Sequence, residues 1–244
     1  MAKTRGRSPA YRLRPQRRRF ASPEPKQVTP ALLPRRAAGL PLSGAAVLLA
    51  AGESTRMGEL KALLPWKGST LLEYQVGQLL RTSLAEVVVV LGHRAQELRP
   101  LLPRREPRLR AIFNRRYRRG KSTSVVAGLK ALRPGWSFVL ILGVDQPRPA
   151  WVLERLLRAH RDEGARLTLP SHGGRRGHPP LFAAALGPDL LAITEESQGL
   201  REVVQRHKRD IQQVKLGTPL VLVNLNTRED YDRARRLLAT AREG

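Results

Sequence analysis

The residues best suited to carry out chemistry follow directly on an apolar run near residue 50. Residues 44–51 are small and apolar, a pattern typical of a parallel strand that is buried on both faces. The loop that follows combines glycines and a hydroxyl with two cations: Gly52, Ser54, Arg56, Gly58 and Lys61. Glycines let backbone N–H groups approach a ligand closely, and the cations neutralise anionic oxygens, so this loop is suited to hold a polyphosphate. It matches neither a Walker A loop nor the GxGxxG spacing, and an ordinary strand-to-helix connection is the alternative.

A second candidate is the carboxylate of Asp145. It follows the apolar run 136–143, which predicts a buried strand, and Gln146 and Pro147 come directly after it. A carboxylate at the carboxyl end of a parallel strand is well placed to bind Mg²⁺ together with substrate phosphates. From the residues alone, an ordinary turn is the alternative.

A third candidate is the start of a helix after Asn114. Ser122 or Thr123 is expected to cap this helix, and residues 120–124 would then form a helix N-terminus that can bind anions or base edges. A well-capped helix behind an arginine-rich loop is the alternative.

A fourth candidate is a second loop that combines glycines with cations. Residues 173–178 contain Arg175, Arg176, Gly177 and His178. Flexible backbone beside two guanidinium groups suits the phosphate of a second substrate.

The elements that must position these residues alternate between strands and helices. Strands are predicted at 44–51, 86–91, 109–113, 136–143, 166–169, 211–216 and 221–225. Helices are predicted at 70–81, with Thr70 as N-cap, at 95–102, after 122, at 151–160, at 199–207 and after Thr227. This alternation predicts an α/β fold of three αβα layers with a mostly parallel, Rossmann-like sheet and ligands at its carboxyl edge, where Gly92 also lies.

Composition narrows the class of protein. The chain has 244 residues and no cysteine, which excludes disulfides, thiol nucleophiles and cysteine-ligated metals. The apolar runs are shorter than the roughly 20 residues of a membrane span, so we expect a soluble cytoplasmic protein without a membrane partner.

Charge is strongly positive, with a net +25 over the chain. Residues 1–43 hold 11 basic residues and one acid. They are expected to form a disordered tail, and a transit peptide is the alternative. One domain is expected at 44–244. Only 5% of residues are aromatic, so no stacking platform for nucleic acid is expected. A protein that binds polyanions through its basic tail is the alternative.

The motif LAAGESTRMGELKALLPW, which begins at Leu49, resembles the opening signature of GT-A type nucleotidyltransferases and of the MobA-like NTP transferase family among them. Its Ala-Ala-Gly form and the segment Gly-Arg-Arg-Gly-His-Pro at 174–179 are most similar to the molybdenum cofactor cytidylyltransferases. The Asn114 to Leu129 segment and Asp145-Gln146-Pro147 are also similar to motifs of this family.

The resemblance implies a fold of the GT-A nucleotide-diphospho-sugar transferase type and an activity. It implies Mg²⁺-dependent transfer of CMP from CTP to a phosphorylated acceptor such as molybdopterin, with release of pyrophosphate. GTP as donor, a sugar or alcohol phosphate as acceptor, or a non-catalytic nucleotide- or cofactor-binding protein are the alternatives. A molybdoenzyme or its chaperone is the protein partner that the resemblance suggests.

The resemblance also assigns roles to individual residues. The catalytic residues would be Arg56, Lys61 and Asp145. The nucleotide-binding residues would be Leu49, Ala50, Ala51, Gly52, Ser54, Arg56, Gly58, Lys61, Gly92, Asn114, Ser122 and Ser124. The acceptor-binding residues would be Gln146, Pro147, Arg175, Arg176, Gly177 and His178, and the metal ligands would be Asp145 and Asn226.

Two departures from the family pattern concern the metal and the acceptor. The family's Asp-x-Asp motif is replaced by Asn224 and Asn226, which lowers the negative charge available to a metal. The acid that often precedes the helix at 199–207 is displaced to Glu196. We therefore expect weaker metal binding than in the family, and loss of activity is an alternative.

Overall fold

The computed structural model of the chain describes residues 43–54 and 57–240. The predicted basic tail, except for Ser43, lies outside the described residues, and so does Arg56.

Strands and helices alternate along the chain, as the sequence predicts. The strands are β1 (Gly44–Ala50), β2 (Pro65–Trp66), β3 (Ser69–Thr70), β4 (Glu86–Leu91), β5 (Leu109–Phe113), β6 (Phe138–Gly143), β7 (Leu167–His172), β8 (Arg175–Arg176), β9 (Leu181–Ala183) and β10 (Ile211–Lys215). The helices are α1 (Leu71–Leu80), α2 (Ala95–Leu98), α3 (Lys121–Ala131), α4 (Ala150–Glu163), α5 (Gly187–Leu191), α6 (Leu200–Arg206) and α7 (Arg228–Thr240).

One large sheet has the strand order β10-β7-β9-β6-β1-β4-β5, with β8 paired to β7. The central strand β1 is parallel to both β4 and β6, β5 is parallel to β4, and β10 is parallel to β7. Strand β9 is antiparallel to β6 and to β7. The mostly parallel sheet is therefore confirmed, and the carboxyl ends of β1, β4 and β6 share one edge.

The sheet is covered on both faces, which gives three layers. Along β1, Ala46, Leu48 and Ala50 pack into a core with α1, α4 and α7. The residues between them, Ala45, Val47 and Leu49, pack into a second core with α3, α5 and α6. Alternate side chains of a strand point to opposite faces, so a wholly apolar strand such as β1 must be buried on both.

Local sequence signals set the start of two helices. Thr70 accepts a hydrogen bond from the N–H of Glu73, and the Glu73 carboxylate accepts one from the N–H of Thr70, a capping box that starts α1 as predicted. Thr227 and Asp230 make the same reciprocal bonds at the start of α7.

None of the described helices has the length and apolar character that crossing a membrane requires.

Two predicted features are wrong. The segment 221–225 is not a strand: Pro219–Leu222 forms a 3-10 helix with Thr218 as its N-cap, and an extended stretch follows. An apolar run looks the same in sequence whether it forms a strand or a buried turn, and here Pro219 is placed at the start of the turn.

The N-cap of α3 is the other correction. Gly120, with φ +113°, occupies that position, and neither Ser122 nor Thr123 does. The Thr123 hydroxyl instead donates to the carbonyls of Gly120 and Arg116. The carboxylate of Glu195 accepts a hydrogen bond from the N–H of Ser122, so a remote residue satisfies the helix N-terminus.

Candidate functional site

A cleft of about 370 Å³ opens at the carboxyl ends of β1 and β6. The residues in it that the sequence assigns to the site are Leu49, Ala50, Ala51, Gly52, Ser54, Lys61, Ser124 and Asp145. The cleft therefore brings together the loop after β1, the start of α3 and the carboxylate after β6. A ligand pocket at this edge of a parallel sheet is the arrangement typical of nucleotide-binding α/β folds.

The loop after β1 is folded back on itself around Ser54. The Ser54 hydroxyl accepts a hydrogen bond from the N–H of Lys61 at 3.0 Å, and the Ser54 carbonyl accepts one from the N–H of Met57 at 3.0 Å. Ser54 and Gly58 both have positive φ, at 57° and 68°. This folding places Lys61 in the cleft, whereas Gly58 lies outside its lining.

Lys61 and Asp145 meet inside the cleft, although they are 84 positions apart in the chain. The Lys61 ammonium donates to the Asp145 carboxylate at 3.2 Å. Both side chains are partly shielded, with 13% and 27% of their surfaces exposed. A cation and a carboxylate thus share one water-accessible space in which each can also reach a ligand.

The turn that carries Asp145 is held from beneath by glutamines. The side-chain amide of Gln75, a buried residue of α1, donates to the carbonyls of Gly143 and Gln146. The Gln146 side chain accepts from the N–H of Gly143 at 3.1 Å and is 4% exposed. Gln146 therefore braces the turn in this structure, and its predicted contact with an acceptor stays a prediction, as does that of Pro147.

The start of α3 forms the opposite wall of the cleft. Tyr117, Arg118, Gly120 and Lys121 line it beside Ser124. The cleft thereby gains two cations that the sequence did not single out. Arg118 lies three positions before α3 and Lys121 is the first residue of α3, so the sequence signal for them is the basic run itself.

Asn114, Ser122 and Gly92 lie behind this wall and do not line the cleft. The Asn114 amide donates to the hydroxyls of Thr123 and Ser124 at 2.9 and 3.0 Å, which fixes the start of α3. Gly92 allows close packing, because a Cβ there would lie 2.7 Å from the Ala51 carbonyl. Their predicted contacts with a nucleotide stay predictions.

The second cationic loop lies next to the stretch that follows Pro219. The N–H of His178 donates to the carbonyl of Val221 at 2.8 Å. A Cβ on Gly177 would lie 2.3 Å from that same carbonyl oxygen, so only glycine allows this approach. Arg175 and Arg176 form the exposed strand β8, and none of these four loop residues lines the cleft itself.

His178 nevertheless lies within electrostatic range of the cleft. Desolvation, followed by the charges of Arg148 and Lys121, lowers the pKa of His178 to about 4, and the charge of Asp145 opposes this shift. The lowered pKa favours the neutral ring at pH 7, and part of the residue surface stays open to solvent. A neutral ring there can accept or donate a hydrogen bond without adding a further positive charge.

The residues available to a divalent cation are one carboxylate and two amides. The Asp145 carbonyl accepts a hydrogen bond from the N–H of Leu225 at 2.8 Å, which brings the segment with Asn224 and Asn226 beside the Asp145 turn. The Asn224 side-chain oxygen is buried and has no hydrogen-bond partner. Among the described residues, no group of three or more His, Cys, Asp or Glu side chains is arranged to hold a metal.

This donor set fits a hard cation that takes most of its ligands from a substrate. Carboxylate and amide oxygens are ligands of Mg²⁺, which commonly keeps water and substrate phosphates in its remaining positions. With one carboxylate, the protein alone is expected to bind the ion weakly.

Comparison with known proteins identifies relatives of the chain. Residues 46–211 match the profile of one protein family, described as MobA-like NTP transferase domain. The matched range spans β1 to the start of β10 and includes both walls of the cleft.

Individual relatives carry different names. The chain is 35% identical over 166 residues to nicotine blue oxidoreductase of Paenarthrobacter nicotinovorans, which covers 64% of this chain and 78% of that protein. It is 32% identical over 142 residues to molybdenum cofactor cytidylyltransferase of Escherichia coli strain K12, which covers 56% of this chain and 68% of that protein.

A solved structure shares the fold. A nucleotidyl transferase from Methanothermobacter thermautotroptrophicus aligns with a TM-score of 0.68 and 27% identity, over 82% of this chain and 99% of that one. The three-layer fold predicted from the sequence is thus also found in a relative of known structure.

Proposed function

The chain belongs to the family of MobA-like NTP transferase domains, and on that basis we propose that it transfers CMP from CTP to a phosphorylated acceptor such as molybdopterin, with release of pyrophosphate. The proposal depends most on one observation, the meeting of Lys61 and Asp145 in a single cleft behind a glycine-containing loop. Similarity to a cytidylyltransferase supports CTP as the donor.

In this proposal the triphosphate lies along the loop after β1. Backbone N–H groups near Gly52 and the cations Lys61, Lys121 and Arg118 face the phosphates. Arg56 would add a further guanidinium. The base and ribose lie against the start of α3, near Ser124.

The reaction needs little covalent help from the protein. An oxygen of the ionised acceptor phosphate attacks the α-phosphorus of CTP in line, and a new P–O–P bond forms. The bond from the α-phosphorus to the oxygen shared with the β-phosphate breaks, and pyrophosphate leaves with that electron pair. No proton must be removed first, so catalysis rests on positioning and on the positive charges that stabilise the leaving pyrophosphate.

Asp145 is the residue that would hold Mg²⁺, with the amide oxygen of Asn226 or Asn224 as a further ligand. A magnesium ion held by these residues would supply positive charge to the phosphate oxygens. The Lys61 ammonium donates to the Asp145 carboxylate at 3.2 Å. With a metal ion on Asp145, the Lys61 ammonium would be available to the pyrophosphate.

The acceptor would enter from the side of the second loop. Arg175 and Arg176 are exposed and offer two guanidinium groups to a phosphate, and His178 follows Arg176 by two positions. The acid that often precedes the helix at 199–207 in the family is displaced to Glu196 in this chain, so the acceptor is identified by the experiment that follows.

The test is a profile of pyrophosphate release with each of the four nucleoside triphosphates, with Mg²⁺ and with molybdopterin or sugar phosphates as acceptor. The expected result is release with CTP that depends on both acceptor and metal. Asp145→Asn is the variant that tests the metal ligand, because it keeps the shape of the side chain and removes its charge. It should abolish the metal-dependent reaction.

Other outcomes would select an alternative. Preference for GTP, or for a sugar phosphate, would keep the reaction class and change the substrate. Binding of CTP without turnover by any acceptor would favour a nucleotide- or cofactor-binding protein. Because one relative is named an oxidoreductase, absence of pyrophosphate release with every triphosphate would direct the search to redox chemistry instead.

A further inference from the structure

Arg148 is a buried cation for which the proposed reaction has no direct use. It follows Asp145 by three positions, and its residue surface is 0% exposed. A guanidinium group is costly to bury unless its N–H groups are hydrogen-bonded, so its surroundings must compensate for the lost water. They do so in an unusual way.

All four side-chain hydrogen bonds of Arg148 go to main-chain carbonyl oxygens. Nε donates to His178 at 3.0 Å and Nη1 donates to Pro147 at 2.9 Å. Nη2 donates to both Val221 and Val223, at 2.9 and 2.8 Å. The planar fork of one side chain therefore joins three separate segments of the chain.

These three segments carry the residues on which the proposed reaction depends. Pro147 belongs to the turn of Asp145, and His178 belongs to the second cationic loop. Val221 and Val223 lead directly to Asn224 and Asn226.

Further hydrogen bonds close this arrangement around Arg148. The N–H of Leu225 donates to the Asp145 carbonyl, and the N–H of His178 donates to the Val221 carbonyl, each at 2.8 Å. From below, the N–H of Arg148 donates to the side chain of Gln75 at 3.0 Å. Removing the guanidinium would therefore leave several buried carbonyls without donors in the middle of a closed network.

The charge of Arg148 also acts on the site. Burial lowers the pKa of Arg148 to about 9, and the negative charge of Asp145 acts in the opposite direction. The group remains protonated at pH 7. It thus keeps a fixed positive charge behind the Asp145 turn.

We propose that Arg148 is the positioning residue that holds the metal side and the acceptor side of the site in register. It does so by joining the Asp145 turn, the loop at 177–179 and the stretch 221–226 through its four carbonyl contacts. The functional part of this inference rests on the proposed nucleotidyl transfer, whereas its structural part does not. The nucleotide wall formed by residues 49–54 and by α3 has no hydrogen bond to Arg148 and is expected to be independent of it.

A lysine cannot replace this arrangement. An ammonium on a flexible stem has three donors around one atom, and it cannot reach carbonyls that lie around a planar fork. Arg148→Lys therefore keeps the positive charge and loses the contacts that hold the three segments in register. Arg148→Ala removes both and leaves space for a guanidinium ion from solution.

The test is hydrogen–deuterium exchange of individual amides in the free protein, which needs neither substrate nor activity. In Arg148→Ala and Arg148→Lys, we expect exchange at His178 and Leu225 to rise roughly tenfold or more, because each lost contact exposes buried acceptors. Exchange at Lys61 and Val144, whose N–H groups bond to Ser54 and Leu49, should stay unchanged. Guanidinium chloride, and not sodium chloride, should restore protection in Arg148→Ala.

The control is Leu157→Ala, a fully buried residue of α4 with no hydrogen bond to these loops. It destabilises the protein globally and should raise exchange at all four amides in step. The same uniform rise in Arg148→Lys, or no rise at His178 and Leu225, would overturn the inference.

A kinetic readout separates this inference from the proposed function. If CTP is turned over, Arg148→Lys should lower kcat while the KM for CTP stays as in the native protein. A higher KM for CTP with an unchanged kcat would overturn the inference. If no triphosphate is turned over at all, the proposed function fails, and the exchange pattern still decides the structural role of Arg148.

Discussion

Replacing Lys61 with methionine should change two properties of the site in opposite directions. Methionine keeps an unbranched apolar stem and removes the ammonium that lies 3.2 Å from the Asp145 carboxylate. The free protein should then bind a divalent cation more tightly, because Asp145 no longer has a competing partner. Turnover should fall, because the leaving pyrophosphate loses a cation.

The sizes of both effects follow from the geometry. A hydrogen bond between charged groups contributes about 1.5–3 kcal/mol, and partial exposure of this pair lowers the value to about 1–2 kcal/mol. Since about 1.4 kcal/mol corresponds to a factor of ten, cation affinity should rise roughly tenfold. Loss of one positive charge that faces the transition state typically lowers kcat by about 10²–10³.

The assays are Mn²⁺ binding to the free protein by electron paramagnetic resonance, and pyrophosphate release with CTP at saturating metal. Lys67→Met is the matched control. It removes the same charge from the chain, but the Lys67 ammonium bonds to the Leu238 carbonyl, away from the cleft. Unchanged Mn²⁺ affinity in Lys61→Met would refute the competition for Asp145, and unchanged turnover would refute the role of Lys61 in transfer.

Three further predictions concern the metal, the second loop and acid stability. Asn226→Asp restores a second carboxylate near Asp145 and should tighten Mn²⁺ binding, and an unchanged affinity would remove Asn226 from the ligand set. Gly177→Ala should lower the free energy of unfolding by about 1–3 kcal/mol, because its Cβ would meet the Val221 carbonyl at 2.3 Å; Gly173→Ala, where nothing lies within 4 Å but φ is positive, separates backbone strain from this clash. His160 is 4% exposed, and burial lowers its pKa from 6.5 to about 4. Between these two pH values His160 is protonated in the unfolded chain and neutral in the folded protein. The free energy of unfolding should therefore fall by about 3 kcal/mol as the pH drops from 6.5 to about 4. Urea denaturation across this range measures the loss, which His160→Gln should reduce, and an equal pH dependence in the variant would count against this assignment.

Much of the architecture could be predicted from the sequence because its signals are local. The apolar run of β1 requires burial on both faces, and the capping pairs at Thr70 and Thr227 set where α1 and α7 begin. The alternation of strands and helices is compatible with few topologies, and a sheet with parallel central strands is one of them. The loop after β1 was found for the same reason, since its glycines, hydroxyl and cations are neighbours in the chain.

Features that depend on distant partners could not be predicted in this way. Glu195 satisfies the start of α3 from more than 70 positions away, and so the N-cap assigned to Ser122 or Thr123 was wrong. The apolar stretch after Pro219 forms a turn, because the same hydrophobicity suits any buried backbone.

Arg148 shows the difference most clearly. In the sequence it is one arginine among many, and most arginines in the described part of the chain are exposed. Its burial depends on carbonyls that residues 178, 221 and 223 bring to one point, and a main-chain carbonyl leaves no trace in the identity of its residue. The sequence by itself indicated which residues are candidates for binding phosphate and metal. Only the tertiary structure decided which of them share a cleft and which buried group joins their loops, because both depend on hydrogen bonds between segments far apart in the chain.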